Sequence, residues 1–77
     1  MDKEKLQQIK RLTGFKFEGY SKKHNAYTFK NDELGLFVDF YLDTKDVYIS
    51  SYYQDYVKCN AVFITNLNCI CKEILGW

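Results

Sequence analysis

The sequence predicts a small α+β domain: a four-stranded antiparallel meander with an N-terminal and a C-terminal helix packed on one face, in the order α-β-β-β-β-α. Twelve of the fourteen aromatic residues lie between Phe15 and Tyr56, and apolar residues there alternate with polar ones, as in strands of a half-buried sheet. The flanking segments repeat apolar residues every three or four positions, as helices do. The length of 77 residues predicts one domain, residues 1–77.

The first helix is predicted to begin after Asp2, which can cap it, and to run to about Thr13. Its apolar stripe consists of Leu6, Ile9 and Leu12. Gly14 is placed to end the helix, because glycine adopts the left-handed conformation that closes helices.

Two shorter strands follow this helix. Phe15 and Phe17 alternate with charged residues and predict the first strand. Residues 21–25 read as a turn, and the segment from Tyr27 to Phe29 predicts the second strand, ended at residues 31–32.

The third strand has the clearest pattern. The side chains predicted to face the helices are Leu36, Val38, Phe40 and Leu42. Those predicted to face the other way are Phe37, Asp39, Tyr41 and Asp43. After a turn over residues 44–46, a fourth strand continues both sides, with Val47 and Ile49 inward and Tyr48 and Ser50 outward. A shift of one residue would bury two carboxylates, so we expect a well-defined register.

The last helix has two possible beginnings. The segment from Ser51 to Gln54 matches a capping box, and apolar residues from Val57 to Ile74 recur at helical spacing, which favours a helix of about twenty residues. Residues 62–65 also have β-propensity and could form a fifth strand, leaving a shorter helix capped by Asn60 or Asn66. We expect the long helix, ending at Gly76.

Composition and charge narrow the class of protein. The net charge is +1, and residues 1–30 carry eight basic and three acidic residues while residues 31–77 carry three basic and seven acidic ones. The three cysteines cannot all pair, and the first residues lack the apolar core of a secretory signal, so we expect a cytoplasmic protein with reduced thiols. The longest strongly apolar run, residues 61–64, is too short to cross a membrane.

The side of the sheet away from the helices is the predicted working surface. It combines carboxylates with aromatic rings, a composition typical of protein-binding surfaces. The residues that we expect to contact a partner are Tyr20, Phe37, Asp39, Tyr41, Asp43, Asp46 and Tyr48.

The expected function is that of a binding module for a larger protein or nucleoprotein complex with a basic surface. Its size and composition suggest a phage or mobile-element inhibitor of a host nucleic-acid-processing or defence protein, CRISPR effectors included, with carboxylates standing where phosphates would lie. The alternative is a small nucleic-acid-binding or transcription-accessory protein that uses the basic N-terminal half. Its candidate residues are Lys10, Arg11, Lys16, Lys22 and Lys23. A homodimer through the same sheet face is a further possibility.

No pattern of an enzyme or cofactor site occurs in the sequence. The glycines are isolated, so no phosphate-binding loop is predicted. Cys69 and Cys71 project about 200° apart on a helix, so both could ligate one ion only if the helix broke there. With Cys59 and His24 they would make a Cys-Cys-Cys-His set, but the spacing matches no compact zinc knuckle. His24, the only histidine, lies in a predicted turn. We therefore expect no catalysis, no cofactor and no metal.

Overall fold

The computed structural model describes residues 2–52 and 61–77. It confirms the predicted order of elements, with helix α1 (Lys3–Thr13), strands β1 (Lys16–Ser21), β2 (Ala26–Asn31), β3 (Leu36–Tyr41) and β4 (Asp46–Ser51), and helix α2 (Ala61–Leu75). The strands form one open antiparallel sheet in the order β1-β2-β3-β4.

Helix α1 begins and ends as the sequence predicts. The Asp2 carboxylate accepts a hydrogen bond of 2.8 Å from the Lys5 amide, which satisfies one of the amides left without a partner in the first turn. Gly14 has a φ of 76°, and its amide donates to the Lys10 carbonyl at 2.9 Å. Both ends are therefore fixed by short-range contacts.

Helix α2 contains residues 62–65, so the alternative of a fifth strand there is wrong. Its helical spacing buries Leu67 and Cys71 against the sheet, and this packing outweighs the β-propensity of the segment. The helix ends at Gly76 as predicted, where the Trp77 amide donates to the Lys72 carbonyl at 2.8 Å. The predicted capping-box residue Gln54 and the helix start before residue 61 lie outside the described residues.

The core lies between the sheet and the two helices. Its aromatic centre is Phe29 and Phe40, both fully buried, with ring centroids 5.5 Å apart in an edge-to-face arrangement. Ile9 from α1 and Leu67 from α2 pack against the same cluster. Both helices therefore cover the same side of the sheet, and the predicted inward side of β3 and β4 is confirmed.

The three hairpins have the same loop design. Each loop has four residues, and the fourth has a positive φ: Asn25 (47°), Gly35 (65°) and Lys45 (59°). Each strand therefore begins ten residues after the one before it. Glycine and asparagine suit the left-handed conformation, whereas lysine adopts it at an energetic cost.

Within residues 2–52 and 61–77, no helix is long and apolar enough to span a bilayer.

Candidate functional site

The side of the sheet opposite the helices is the candidate site, and we call it the open face. The ladder register places the following side chains on it: Lys16, Ser21, Ala26, Thr28, Lys30, Phe37, Asp39, Tyr41, Asp46, Tyr48 and Ser50. Among the described residues, both helices pack on the other side. Tyr48 is 56% exposed, whereas Ala26, between Ser21 and Tyr41, is buried.

Asp39 occupies the middle of the open face. Its cross-strand neighbours are Thr28 on β2 and Tyr48 on β4. The Thr28 hydroxyl donates a hydrogen bond of 2.6 Å to Oδ1 of Asp39. This bond fixes the orientation of the carboxylate, because a cross-strand partner holds one of its two oxygens.

Two aromatic pairs flank Asp39. On one side, the rings of Tyr41 and Tyr48 have centroids 5.1 Å apart and planes at 85°. On the other side, Phe37 and Tyr52 have centroids 4.5 Å apart and planes at 68°. Both pairs are edge-to-face, the arrangement that aligns the positive edge of one ring with the negative face of the other.

The Phe37–Tyr52 pair holds a cation. Lys30 Nζ lies 6.0 Å from the Phe37 centroid and 5.6 Å from the Tyr52 centroid, and it pairs with an Asp32 carboxylate oxygen at 3.4 Å. Hydrogen bonding to Tyr52 and then interaction with Asp32 raise the pKa of Lys30 above its usual value. The ammonium group therefore has both a carboxylate and two rings as partners.

Five of the seven residues predicted to contact a partner lie together on the open face. They are Phe37, Asp39, Tyr41, Asp46 and Tyr48. Asp43 lies in the β3–β4 turn instead, where its Oδ1 accepts a hydrogen bond of 2.9 Å from the side-chain amide of Asn25. Its carboxylate thus stabilises the contact between two neighbouring turns.

Tyr20 is on the other side of the sheet, and its predicted position on the open face is wrong. The β1–β2 register shifts between Phe17 and Gly19, so Glu18 is an extra residue in a β-bulge. Phe17 and Tyr20 consequently both contact Tyr27 on the helix side, with centroid distances of 5.9 and 4.6 Å. The bulge reverses the sequence alternation over the rest of β1.

The five basic residues of the nucleic-acid alternative do not form one patch. Lys10 and Arg11 lie in the last turn of α1, and Lys16 begins β1 shortly after it. Lys22 and Lys23 lie in the turn at the far end of β1, about 20 Å away for a strand of six residues. The intervening strand carries no further cation.

The cysteines and the histidine are separated in the described part of the chain. Cys69 is exposed and Cys71 is buried, on opposite sides of α2, and neither forms a disulfide. Burial raises the pKa of the Cys71 thiol to about 11. His24 lies in the β1–β2 turn. Within residues 2–52 and 61–77, no three potential ligands among His, Cys, Asp and Glu are grouped to hold a metal ion.

Sequence analysis missed Lys30 and Tyr52 as members of the site. Lys30 could have been found from the hairpin itself, because a four-residue loop after Asn31 pairs Lys30 with Phe37. Tyr52 follows the end of β4, and its ring reaches Phe37 diagonally across the ladder.

Comparisons with protein-family models, curated proteins and solved structures found no match for this chain.

Proposed function

We propose that this chain is a protein-binding module whose open face docks on a larger protein that presents cationic side chains. The observation that carries the proposal is the cluster of Asp39, Tyr41 and Tyr48, which places a fixed carboxylate beside two edge-to-face phenol rings on a side of the sheet that neither described helix covers. Buried tyrosines dominate many protein interfaces because they contribute large area at little entropic cost.

The carboxylates around Asp39 and Asp46 favour a basic partner surface at that part of the open face. Asp39 lies at the centre and Asp46 lies opposite Tyr41, whereas of the two lysines of the open face Lys30 is paired with Asp32 and Lys16 lies on the edge strand β1. Complementary charges steer association and select partners more than they add affinity. The aromatic rings then supply the contact area.

A pair of charge-reversal variants tests this proposal. Asp39→Lys with Asp46→Lys reverses the two carboxylates of the open face, and Glu4→Lys with Glu33→Lys makes the same change in net charge on α1 and in the β2–β3 turn. Proteins captured by the native chain from a lysate of the source cells would be identified by mass spectrometry and purified, and their affinities for all three chains measured by calorimetry.

We expect the open-face variant to lose at least tenfold in affinity, and the control variant to bind like the native chain. Thermal unfolding of each variant checks that the fold is kept. Equal affinities for the native chain and the open-face variant would overturn the proposal.

The more specific form of the proposal is a cytoplasmic phage or mobile-element inhibitor of a nucleic-acid-processing or defence protein, CRISPR effectors included. It is supported by the size of the chain and by the carboxylates of the open face, which would occupy sites that bind phosphates. It predicts that the captured protein binds DNA or RNA and that the chain displaces this nucleic acid. If the chain binds the captured protein but does not displace its nucleic acid, the chain is a protein-binding module and not an inhibitor of this kind.

A nucleic-acid-binding function has weaker support, because its five basic residues lie at two ends of β1. It predicts DNA or RNA binding by the chain alone that falls steeply with salt and is lost in Lys22→Glu with Lys23→Glu.

A homodimer through the open face predicts instead a molecular mass that rises with concentration in light scattering.

A further inference from the structure

The open face carries two clusters of similar composition. In the first, Lys30 Nζ lies near the edge-to-face rings of Phe37 and Tyr52 and pairs with the Asp32 carboxylate. The chain therefore shows what this combination of groups binds: a cationic side chain that contacts ring faces and pairs with a carboxylate.

The second cluster also combines an edge-to-face ring pair with a carboxylate, but no cation of the described residues occupies it. Tyr41 and Tyr48 form the edge-to-face pair, and Asp39 lies directly opposite Tyr48 across the β3–β4 ladder. Side chains directly opposite in a ladder have Cβ atoms about 5 Å apart, so one cationic group can contact both. Among the described residues, no Lys, Arg or His side-chain nitrogen lies within 4.0 Å of the Asp39 carboxylate.

We propose that Asp39, Tyr41 and Tyr48 bind the guanidinium group of an arginine side chain on the partner protein. This inference rests on the proposed function and identifies the group by which the partner is recognised. The hydrogen bond from Thr28 holds the carboxylate in place, and 56% of Tyr48 is exposed to receive the cation.

Arginine fits this cluster better than lysine. Its planar guanidinium stacks on an aromatic ring while its N–H groups donate to a carboxylate, whereas a lysine ammonium is a strongly hydrated point charge. Asp46, opposite Tyr41 in the same ladder, adds a second negative charge beside the ring pair. The local charge thus favours a cation at this end of the open face.

The test uses the full chain labelled with 15N and two probe peptides of equal length, oligo-arginine and oligo-lysine. We expect the arginine peptide to shift the amide signals of Asp39, Tyr41 and Tyr48 in a saturable way, and to bind several times more tightly than the lysine peptide. Asp39→Asn should weaken arginine binding roughly tenfold or more, because it removes a charged acceptor. Asp32→Asn removes a carboxylate from the filled cluster and should leave this binding unchanged.

Tyr48→Leu keeps an apolar side chain and removes the ring, so it should weaken arginine binding even where Asp39→Asn fails to fold. Equal affinities for the two peptides, or shifts centred elsewhere on the chain, would overturn the inference. The two proposals can fail separately. If the captured partner loses affinity for Asp39→Lys with Asp46→Lys while the arginine peptide does not bind, only the arginine site is wrong. If the peptide binds but the partner is insensitive, the proposed function is wrong.

Discussion

Thr28 and Asp39 face each other across β2 and β3, and the Thr28 hydroxyl donates a hydrogen bond of 2.6 Å to Oδ1 of Asp39. Both residues are half-buried, so this bond is partly shielded from water. In the described part of the chain it is the one hydrogen bond to the Asp39 side chain. It couples the stability of the sheet to the orientation of the central carboxylate of the open face.

Thr28→Val should lower the free energy of unfolding by about 1 kcal/mol, because it removes the hydroxyl and keeps the β-branched shape. Urea unfolding, followed by the fluorescence of the single tryptophan, Trp77, measures the change. Thr65→Val is the matched control, since the Thr65 hydroxyl donates to the Ala61 carbonyl at an exposed position of α2 and its removal should change the free energy of unfolding by less than about 0.5 kcal/mol. Equal losses in the two variants would contradict the role of the Asp39 bond.

Lys45→Asn should stabilise the chain. Lys45 has a φ of 59° at the position where the first hairpin has Asn25 and the second has Gly35. Because asparagine adopts this conformation at a lower cost than lysine, we expect a gain of about 0.5 to 1 kcal/mol in thermal or urea unfolding. Lys22→Asn makes the same change of charge in the first turn, away from the position of positive φ. If Lys22→Asn stabilises the chain as much as Lys45→Asn does, the gain comes from the change of charge and not from the backbone conformation.

Alanine should destabilise the chain at Gly14 but not at Gly19. An added Cβ meets nothing within 4 Å at either residue, so neither substitution causes a clash. Gly14 has a φ of 76°, and Gly14→Ala should cost about 1 kcal/mol at the end of α1. Gly19 lies outside the left-handed region, and Gly19→Ala should be neutral or stabilise by up to about 1 kcal/mol, because it restricts the unfolded chain. Similar losses at both sites in urea unfolding would contradict this.

The thiols should differ in reactivity and in their effect on stability at high pH. Cys71 is 1% exposed, and burial raises the pKa of its thiol from 9.0 to about 11. In a Cys59→Ser background at neutral pH, a thiol reagent should modify Cys69 rapidly and Cys71 only on unfolding, as read by mass spectrometry.

The raised pKa of Cys71 predicts how its contribution to folding stability changes with pH. Above pH 9.0 the unfolded thiol loses its proton while the folded one keeps it up to about pH 11, so the contribution of Cys71 to stability falls as pH rises through this window. Cys71→Ala should therefore destabilise the chain less at pH 11 than at pH 9. A constant difference between the native chain and this variant across the window would contradict the shift.

The sequence was sufficient where the chain keeps a strict alternation. From Leu36 to Tyr41 every second side chain is buried, so both sides of β3 and the side occupied by the helices could be predicted. Helix ends were equally predictable, because Asp2, Gly14 and Gly76 act through contacts within a few residues. Local rules fix these features, and tertiary packing does not override them.

Two features depend on contacts that a single-sequence pattern does not contain. The bulge at Glu18 is defined by the pairing of β1 with β2, and it moves Tyr20 to the helix side. Likewise, the basic residues appear as one group along the sequence, but β1 separates Lys16 from the turn at residues 22–25. The register between strands decides the position of Tyr20, whereas the extended length of β1 separates the two groups of basic residues.

The last prediction separates the two sides of the sheet with a pair of tyrosines of similar exposure, Tyr20 at 47% and Tyr48 at 56%. Tyr20→Ala removes a ring whose centroid lies 4.6 Å from that of Tyr27 and a hydroxyl that donates to the side-chain oxygen of Asn25 at 2.6 Å. It should lower the free energy of unfolding by about 1 to 2 kcal/mol and leave the affinity for an arginine peptide unchanged.

Tyr48→Ala should have a small effect on stability and a large effect on arginine binding. Its ring contacts only Tyr41 among the aromatic rings of the described residues, at 5.1 Å on the open face, so the loss of stability should stay near 1 kcal/mol or below. Arginine binding should fall several-fold, because the cation loses the more exposed ring. Urea unfolding and the NMR titration, applied to both variants, measure the two effects side by side. If Tyr20→Ala weakens arginine binding as much as Tyr48→Ala does, the bulge does not separate these residues in solution and the arginine site is misplaced.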